Sequence, residues 1–264
     1  IQSISHTDEY TLNVVYREPL NNKQSLTLKY ESTWKNEFQG RGTFDFNNAN
    51  NAFTSYNDLL SYSNSLKGNR VTPSVGYQIN TEKVWFNLAA GTSFNNYDVA
   101  SSYNNNNFLN KRFDVLPQLN ASTNVQIGKS KSIYANYSYS EKSPYLRELL
   151  EYEDLSSPLF ISKGNKDLQT TQEHSVYFSF NNYNWQTRSG YYIYGGGSYN
   201  TRETGTSQWY DENFVATSTY VNIYDTYNYW SGVNYNKSFK LSDKNKLSVN
   251  AGFNINGNLN KGIL

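Results

Sequence analysis

Strict alternation of apolar and polar residues is the feature that most constrains the fold of this 264-residue chain. In the segment 114–127 the odd positions are mostly apolar, from Val115 to Ile127, whereas the even positions are mostly amides and hydroxyls such as Asn120 and Ser122. Side chains of a β-strand point alternately to opposite faces. A period of two over more than ten residues therefore predicts a long strand with one apolar and one polar face.

The same alternation recurs in pairs of segments that are separated by short polar turns. Apolar residues occupy alternate positions before and after each turn, which is the pattern of a β-hairpin. Four of the turns lie near residues 18–23, 80–82, 128–131 and 182–184, and the fifth lies between Phe239 and Leu247. We therefore predict ten strands in five antiparallel hairpins.

Two kinds of connection alternate along the predicted strands. Within the hairpins the turns are about three to six residues long, which is the usual range. Between hairpins the connections are long and cover about residues 38–67, 95–112, 141–171 and 198–219. Short turns at one end and long loops at the other are typical of outer-membrane barrels, whose tilted strands need about nine to eleven residues to cross a bilayer. We predict an all-β fold, a transmembrane antiparallel up-and-down β-barrel.

A large soluble sandwich or barrel is the alternative to a membrane barrel. Strands of soluble proteins are usually about five or six residues long, roughly half the length predicted here. The polar face consists mainly of Asn, Ser, Thr, Gln and Gly, and charged residues make up only 17% of the chain. A face exposed to water normally carries more charge than this. Tyr and Trp also recur at the ends of the apolar faces, as in interfacial girdles, so the membrane barrel is favoured.

The composition excludes several other classes of protein. There is no cysteine, which rules out a disulfide scaffold and a cysteine zinc site. A net charge of +1 argues against a nucleic-acid partner. The absence of Met and of a signal-peptide pattern, together with an end at Leu264 that lacks a terminal aromatic, leads us to expect a processed protein or a central part of a larger barrel.

No catalytic constellation is visible in the sequence. The two histidines, His6 and His174, are far apart, and the glycines at 195–197 lack the helix and the Lys-Ser/Thr pair of a phosphate-binding loop. We expect neither enzymatic activity nor a cofactor. Acidic residues are densest in the third long connection, and a solvated loop is favoured there over a calcium site because the spacing matches no known calcium-binding loop. These residues are Glu148, Glu151, Glu153 and Asp154.

Ligand contacts are expected on the long connections, because binding residues concentrate on loops that a rigid scaffold holds in place. Trp209, Tyr210 and Asp211 combine aromatic surfaces with an acceptor, which would suit a sugar or a peptide. Tyr103 and Phe108 are weaker candidates. For all five residues, packing within the loops is the favoured alternative.

One segment of the third connection resembles a signature of a known family. Residues 157–168 read SPLFISKGNKDL, and Glu173 and His174 follow. They resemble the signature of the Bacteroidota-type outer-membrane β-barrel family of TonB-dependent receptors, and the matching residues are Pro158, Gly164, Asn165, Asp167 and Leu168. The chain departs from the signature at Lys166 and at 169–170. The segments 16–20, 116–117 and 144–149 also agree with the family in order and spacing.

The resemblance implies a barrel of about 22 strands whose lumen is filled by an N-terminal plug domain. Residues 1–264 would then be part of one barrel domain, and the plug would not be in this chain. The implied location is the bacterial outer membrane. The implied partners are the lipid bilayer, the inner-membrane TonB complex, which acts through the plug, and in some relatives a surface lipoprotein; no nucleic acid is expected.

Three functions follow from these observations. The first is active, TonB-dependent import of a nutrient such as a peptide, a glycan or a metal chelate. The second is a passive porin or a structural barrel of an outer-membrane surface complex. The third is a soluble β-rich adhesin. The substrate cannot be read from the long connections.

Overall fold

A computed structural model gives the fold of residues 1–104, 106–150, 153–157, 159–242 and 245–261, with backbone only for 153–156. Pro158 and Glu151 lie outside the described residues. The short helical segments are η1 (Asp58–Leu60), a 3₁₀ turn, and α1 (Leu146–Leu149). No helix in the described part of the chain is long and apolar enough to cross a membrane.

Fifteen strands make up most of the described residues. In chain order they are β1 (Gln2–Asn21), β2 (Gln24–Gly42), β3 (Phe44–Asn47), β4 (Ala52–Tyr56), β5 (Tyr62–Asn80), β6 (Val84–Tyr103), β7 (Asn106–Gly128), β8 (Lys131–Lys142), β9 (Glu153–Ser157), β10 (Phe160–Lys163), β11 (Thr171–Asn184), β12 (Ser189–Tyr210), β13 (Ala216–Ile223), β14 (Thr226–Lys240) and β15 (Lys246–Leu259).

Ten of these strands form one continuous antiparallel wall. Each pairs with the next in the order β1, β2, β5, β6, β7, β8, β11, β12, β14 and β15. Short turns join β1 to β2, β5 to β6, β7 to β8, β11 to β12 and β14 to β15, so the predicted ten strands in five hairpins are confirmed. Within the described residues β1 and β15 each pair with a single wall neighbour, and the wall does not close into a cylinder.

The strand register separates the apolar and polar residues onto opposite faces of the wall. Leu28, Val75, Ala90, Leu119 and Tyr139 are successive partners across five strands. The neighbouring row on the other face is Ser74, Gly91, Gln118 and Ser140. Most large residues of the apolar face are exposed. This is the arrangement expected of a sheet whose apolar face is covered by hydrocarbon and whose polar face lines the inside.

The predicted long connections are wrong in one respect, because the wall strands continue into them. Residues 95–112 were predicted to form a loop, but β6 runs on to Tyr103 and β7 starts at Asn106. Backbone hydrogen bonds pair these strands whatever their side chains are, so the ladder extends beyond the part that alternates clearly. One hairpin turn is also displaced. It lies after Asn184, whose Oδ1 accepts the amide hydrogens of Gln186 and Thr187.

The end of the wall that carries the long connections bears additional strands. Between Gln172 and Glu173 the β11–β12 register shifts, and beyond it the Glu203–Tyr210 part of β12 pairs with β13 instead of β14. β13 pairs with β10 in parallel, β10 pairs with β9, and β9 lies beside η1 in the β2–β5 connection. β3 and β4 form a separate hairpin.

The main apolar cluster lies on the inner face at this end. Leu146, Leu149 and Leu150 from the β8–β11 connection pack with Leu168 against Tyr97 and Val99 of β6. Tyr97 and Val99 are on the same face of β6 as the polar residues Gly91, Ser93 and Asn95. The β8–β11 connection (residues 143–170) is therefore folded against the inner wall.

Candidate functional site

A buried ion pair attaches the β8–β11 connection to the wall. Arg112 Nε lies 2.9 Å and 3.0 Å from the two carboxylate oxygens of Asp114, and both side chains are largely buried. Asp114 Oδ2 also accepts hydrogen bonds from the hydroxyls of Tyr97, at 3.2 Å, and Ser143, at 2.7 Å. Arg112 Nη1 donates to the carbonyl oxygen of Leu168 at 2.6 Å. The pair thus holds both ends of the connection.

The signature residues determine the internal fold of the same connection. A Cβ on Gly164 would lie 2.0 Å from the carbonyl oxygen of Leu150, so only glycine fits. Asn165 donates from Nδ2 to the carbonyl oxygen of Tyr220 at 3.0 Å, and its Oδ1 accepts the amide hydrogen of Asp167 at 3.0 Å. Leu168 is only 2% exposed. The described signature residues therefore stabilise the connection and tie it to β13.

A polar cleft of about 760 Å³ opens on the inner wall beside this connection. Its charged lining comes from several strands and from α1. Lys142 and Glu173 form an ion pair at 3.3 Å, and Glu203 accepts a hydrogen bond from Asn200. The other lining residues include Arg70, Ser93, Asn95, Gln118, Ser140, Glu148, Thr204 and Asn228. Such a mixture of donors, acceptors and charges would suit a hydrated, polar solute.

Two oxygen atoms in this lining lack a hydrogen-bond partner. Asn95 Oδ1 and Thr204 Oγ1 are the side-chain polar atoms of the described residues that are buried without one. Asn95 uses its Nδ2 to donate to Ser143 at 3.0 Å, which fixes the orientation of its amide. Buried polar atoms are normally paired, so these two oxygens are exceptions among the described side chains.

The predicted loop candidates lie on two different hairpins. Trp209 and Tyr210 end β12 and are 47% and 63% exposed. The Asp211 carboxylate accepts the backbone amide hydrogens of Asn213 and Val215, both at 2.8 Å, so it stabilises its own turn. Ligand contact by these residues stays a prediction.

The weaker candidates flank the turn between β6 and β7. Tyr103 is the last residue of β6 and donates from its hydroxyl to the carbonyl oxygen of Leu59 at 2.9 Å. Phe108 lies two residues into β7 and is half-buried. A role of either residue in ligand binding likewise stays a prediction.

The described ionisable side chains singled out in the sequence do not converge, and those of Glu151, Glu153 and Asp154 lie outside the described part of the chain. His6 contacts Asp8 at 2.9 Å on β1, whereas His174 contacts the Tyr137 hydroxyl at 2.9 Å on β11. The Glu148 carboxylate accepts the amide hydrogen of Tyr145. In the described part of the chain, no three His, Asp or Glu side chains are grouped so that they could hold a metal ion.

Sequence reasoning missed the Arg112–Asp114 pair and the cleft. A signal for the pair exists, because residues of opposite charge stand two positions apart on the polar face of the strand. The same spacing gives the ion pairs Lys29–Glu31 and Lys35–Glu37, each at 2.8 Å. The partners contributed by residues 143–170 have no such signal, since they depend on how the connection folds.

Comparison with known families identifies the wall. The family model of the outer membrane protein beta-barrel family matches residues 2–263. The chain belongs to this family. It is therefore an outer-membrane β-barrel protein and not an enzyme, its apolar face contacts the lipid bilayer, and its long connections are on the extracellular side. No curated protein matches the chain.

Solved structures of outer-membrane transporters and receptors resemble this barrel protein. The copper transporter OprC matches with a TM-score of 0.63 and 12% identity, over 96% of this chain and 38% of that one. A mutant of the ferric enterobactin receptor PfeA from Pseudomonas aeruginosa matches with a TM-score of 0.46 and 10% identity, over 95% of this chain and 44% of that one. The RagAB peptide importer matches with a TM-score of 0.44 and 10% identity, over 97% of this chain and 37% of that one. The chain thus spans less than half the length of each, and the likeness to OprC shows a shared fold.

Proposed function

We propose that this chain is part of the barrel of a TonB-dependent transporter that imports a nutrient actively across the outer membrane. The observation that carries the proposal is the signature segment. Gly164, Asn165 and Leu168 match a pattern of TonB-dependent receptors, and each has a specific structural role in a connection that Arg112 holds against the inner face. The signature is therefore built into the architecture of the extracellular mouth and is more than a chance similarity in sequence.

The inner face supports transport of a hydrated solute. Its lining is polar, and the cleft beside the β8–β11 connection offers both charged and neutral hydrogen-bonding groups. The proposal includes a plug domain in the lumen, coupling to the inner-membrane TonB complex and, in some assemblies, a surface lipoprotein. A peptide, a glycan and a metal chelate are the candidate cargo classes, and the cargo of OprC is not transferred to this chain because 12% identity carries only the fold.

Uptake in living cells tests this function. The complete receptor gene is expressed in a host strain with an intact TonB complex and in an isogenic strain without it, and uptake of labelled peptides, glycans and iron chelates is measured. Active import predicts accumulation that requires both the receptor and TonB. In planar bilayers the purified receptor should then give no steady large conductance. Accumulation without TonB, together with an open conductance, would establish the passive porin instead.

A further inference from the structure

A patch of aromatic residues lies on the inner, polar face of the wall near the short-turn end. Sequence reasoning assigned the aromatic residues mainly to the lipid face, but four tyrosines and a tryptophan share the inner face with the amides. Three successive register rows across β8, β11, β12, β14 and β15 define the patch, which we name the inner aromatic platform. The rows are Asn136–Tyr177–Gly196–Trp230–Asn256, Tyr134–Ser179–Tyr194–Gly232–Asn254 and Ser132–Asn181–Tyr192–Asn234–Gly252.

Glycines hold two of the rings flat against the sheet. A Cβ on Gly232 would lie 2.6 Å from Cζ of Tyr194, and a Cβ on Gly196 would lie 2.8 Å from Cζ2 of Trp230. Each ring therefore occupies the space above the glycine that is its register partner. Because one side of each ring covers the neighbouring strand, the other side faces the lumen.

The remaining tyrosine rings are linked to Tyr194. Tyr192 and Tyr194 are stacked, with centroids 5.3 Å apart and planes 27° apart. The hydroxyls of Tyr177 and Tyr192 are 2.5 Å apart, and the centroids of Tyr134 and Tyr177 are 6.0 Å apart. The four tyrosine rings thus form one contiguous surface across β8, β11 and β12, Trp230 lies on the neighbouring strand β14, and the ring orientations are set before any ligand binds.

The chemistry around the rings is neutral throughout. All fifteen positions of the platform are Asn, Ser, Gly, Tyr or Trp, and none carries a charge. Asn136, Asn181, Asn234, Asn254 and Asn256 surround the rings. Each amide offers two donor hydrogens and one acceptor oxygen, which matches the hydroxyl groups of a sugar. A charged ligand would lose hydration here without gaining a counter-charge.

A cavity adjoins the platform and supplies room for a ligand. Its volume is about 460 Å³, and its lining includes Asn181, Tyr192, Asn234, Asn250 and Gly252. Four of these residues belong to the platform, and the fifth, Asn250, is also neutral. Flat aromatic surfaces beside amides and an open volume are the elements of a site for an uncharged ligand with alternating apolar and hydroxyl surfaces.

We propose that the inner aromatic platform binds a neutral oligosaccharide, whose C–H faces stack on Tyr192, Tyr194 and Trp230 while its hydroxyls bond to the surrounding Asn amides. This inference deepens the proposed function and rests on it in that the oligosaccharide would be cargo. Binding itself does not require active transport, so the two can fail separately. The competing occupant of the platform is a protein surface, such as that of a plug domain.

Direct titration of the complete receptor in detergent tests the site. The neutral probes are maltohexaose, cellohexaose and mannohexaose, and the comparison ligands are hexagalacturonate, which is acidic, and hexaglycine. At least one neutral hexasaccharide should bind, whereas the acidic sugar and the peptide should not. Tyr192→Leu should weaken that binding about fivefold to tenfold, since it removes one stacking ring. Tyr229→Leu, on the lipid face of β14 and outside the cavity lining, is the matched control and should leave affinity unchanged.

A conservative variant separates ligand contact from a purely structural role. Binding should change the fluorescence of Trp230, and Trp230→Phe should abolish most of that change while the affinity falls less than for Tyr192→Leu, because a ring remains. Retention of the heat-shifted band on gels shows that each variant is folded.

Three outcomes would overturn the platform. They are no binding of any neutral hexasaccharide, equal effects of Tyr192→Leu and Tyr229→Leu, and a Trp230 that a quencher cannot reach in the complete receptor because protein covers it. TonB-dependent uptake combined with any of these would leave the proposed function standing and remove the platform. Platform-dependent binding combined with TonB-independent uptake would leave the platform standing and remove the proposed function.

Discussion

Arg112 donates a hydrogen bond from Nη1 to the carbonyl oxygen of Leu168 at 2.6 Å, across 56 positions of sequence. The same guanidinium binds Asp114 through Nε, so β7 holds the end of the β8–β11 connection with a group whose charge is already neutralised. Asp114 holds the start of that connection through Ser143. The shape of the extracellular mouth therefore depends on one pair of side chains that the sequence places two residues apart.

Loss of one member of this pair should destabilise the barrel strongly. Arg112→Met leaves the Asp114 carboxylate buried without its counter-charge, and we expect a cost of about 3 kcal/mol. Thermal unfolding in detergent, followed by the loss of the heat-shifted band, measures it. Lys111→Met removes the exposed partner of Asp98, 3.9 Å away, and should change stability by less than about 0.5 kcal/mol. Equal effects of the two variants would contradict a structural role for the buried pair.

Truncation of the buried signature leucine should loosen the connection. Leu168→Ala removes a side chain that is 2% exposed and packs on Tyr97 and Val99, at a cost of about 3 kcal/mol. Limited proteolysis should then cleave the 143–170 connection faster than in the wild type. Leu159→Ala, in the same connection but 66% exposed, is the control and should leave the cleavage rate unchanged.

Substitution of the signature glycine tests the close approach inside the connection. Gly164→Ala would bring a methyl group within 2.0 Å of the backbone of Leu150, which cannot move away without breaking the packing around it. We expect a loss of at least about 2 kcal/mol and a lower yield of folded barrel in the membrane. Gly76→Ala, whose Cβ would have no neighbour closer than 3.6 Å, should fold normally. A normal yield for Gly164→Ala would show that the connection adopts another fold.

The wall could be predicted from sequence because its period of two reports a physical boundary directly. Residues such as Val75 and Leu119 face hydrocarbon, and their neighbours face a polar interior. The sequence of each strand therefore alternates in polarity and indicates both surroundings. The sequences of the long connections show no such regular alternation. Residues 95–103 and 106–112 form paired strands through backbone hydrogen bonds, which any side chains can accompany.

The candidate site was less accessible to sequence reasoning for a related reason. Alternation predicts that most aromatic residues lie on the lipid face and in its girdles, although Tyr194 and Trp230 occupy the polar register of their strands. The alternation within each strand already predicts that these two side chains point inward. Their flat orientation depends on a glycine in the neighbouring strand, Gly232 for Tyr194 and Gly196 for Trp230. Only the pairing of β12 with β14 brings these residues together.

The two faces of the wall should tolerate a new charge to different degrees. Val75→Arg places a guanidinium on the apolar face, where it would contact lipid, at an expected cost of about 2–4 kcal/mol if it lies near the bilayer centre. Ser74→Arg places the same group on the polar inner face and should cost less than about 1 kcal/mol. Folding yields into lipid vesicles, titrated with urea, compare the two. The opposite order would reverse the assignment of the faces.

Two substitutions at Asp211 distinguish a ligand contact from a role in the local turn. Its carboxylate accepts two backbone amide hydrogens at 2.8 Å, and Asn keeps one acceptor oxygen in the same place. Asp211→Asn should therefore retain the turn, whereas Asp211→Ala should lose about 1 kcal/mol of local stability and expose residues 211–215 to proteolysis. If cargo binds this carboxylate directly, Asp211→Asn should weaken uptake as much as Asp211→Ala does. If the carboxylate acts only on its own turn, Asp211→Asn should import normally, and the ligand contacts at this hairpin would fall to Trp209 and Tyr210.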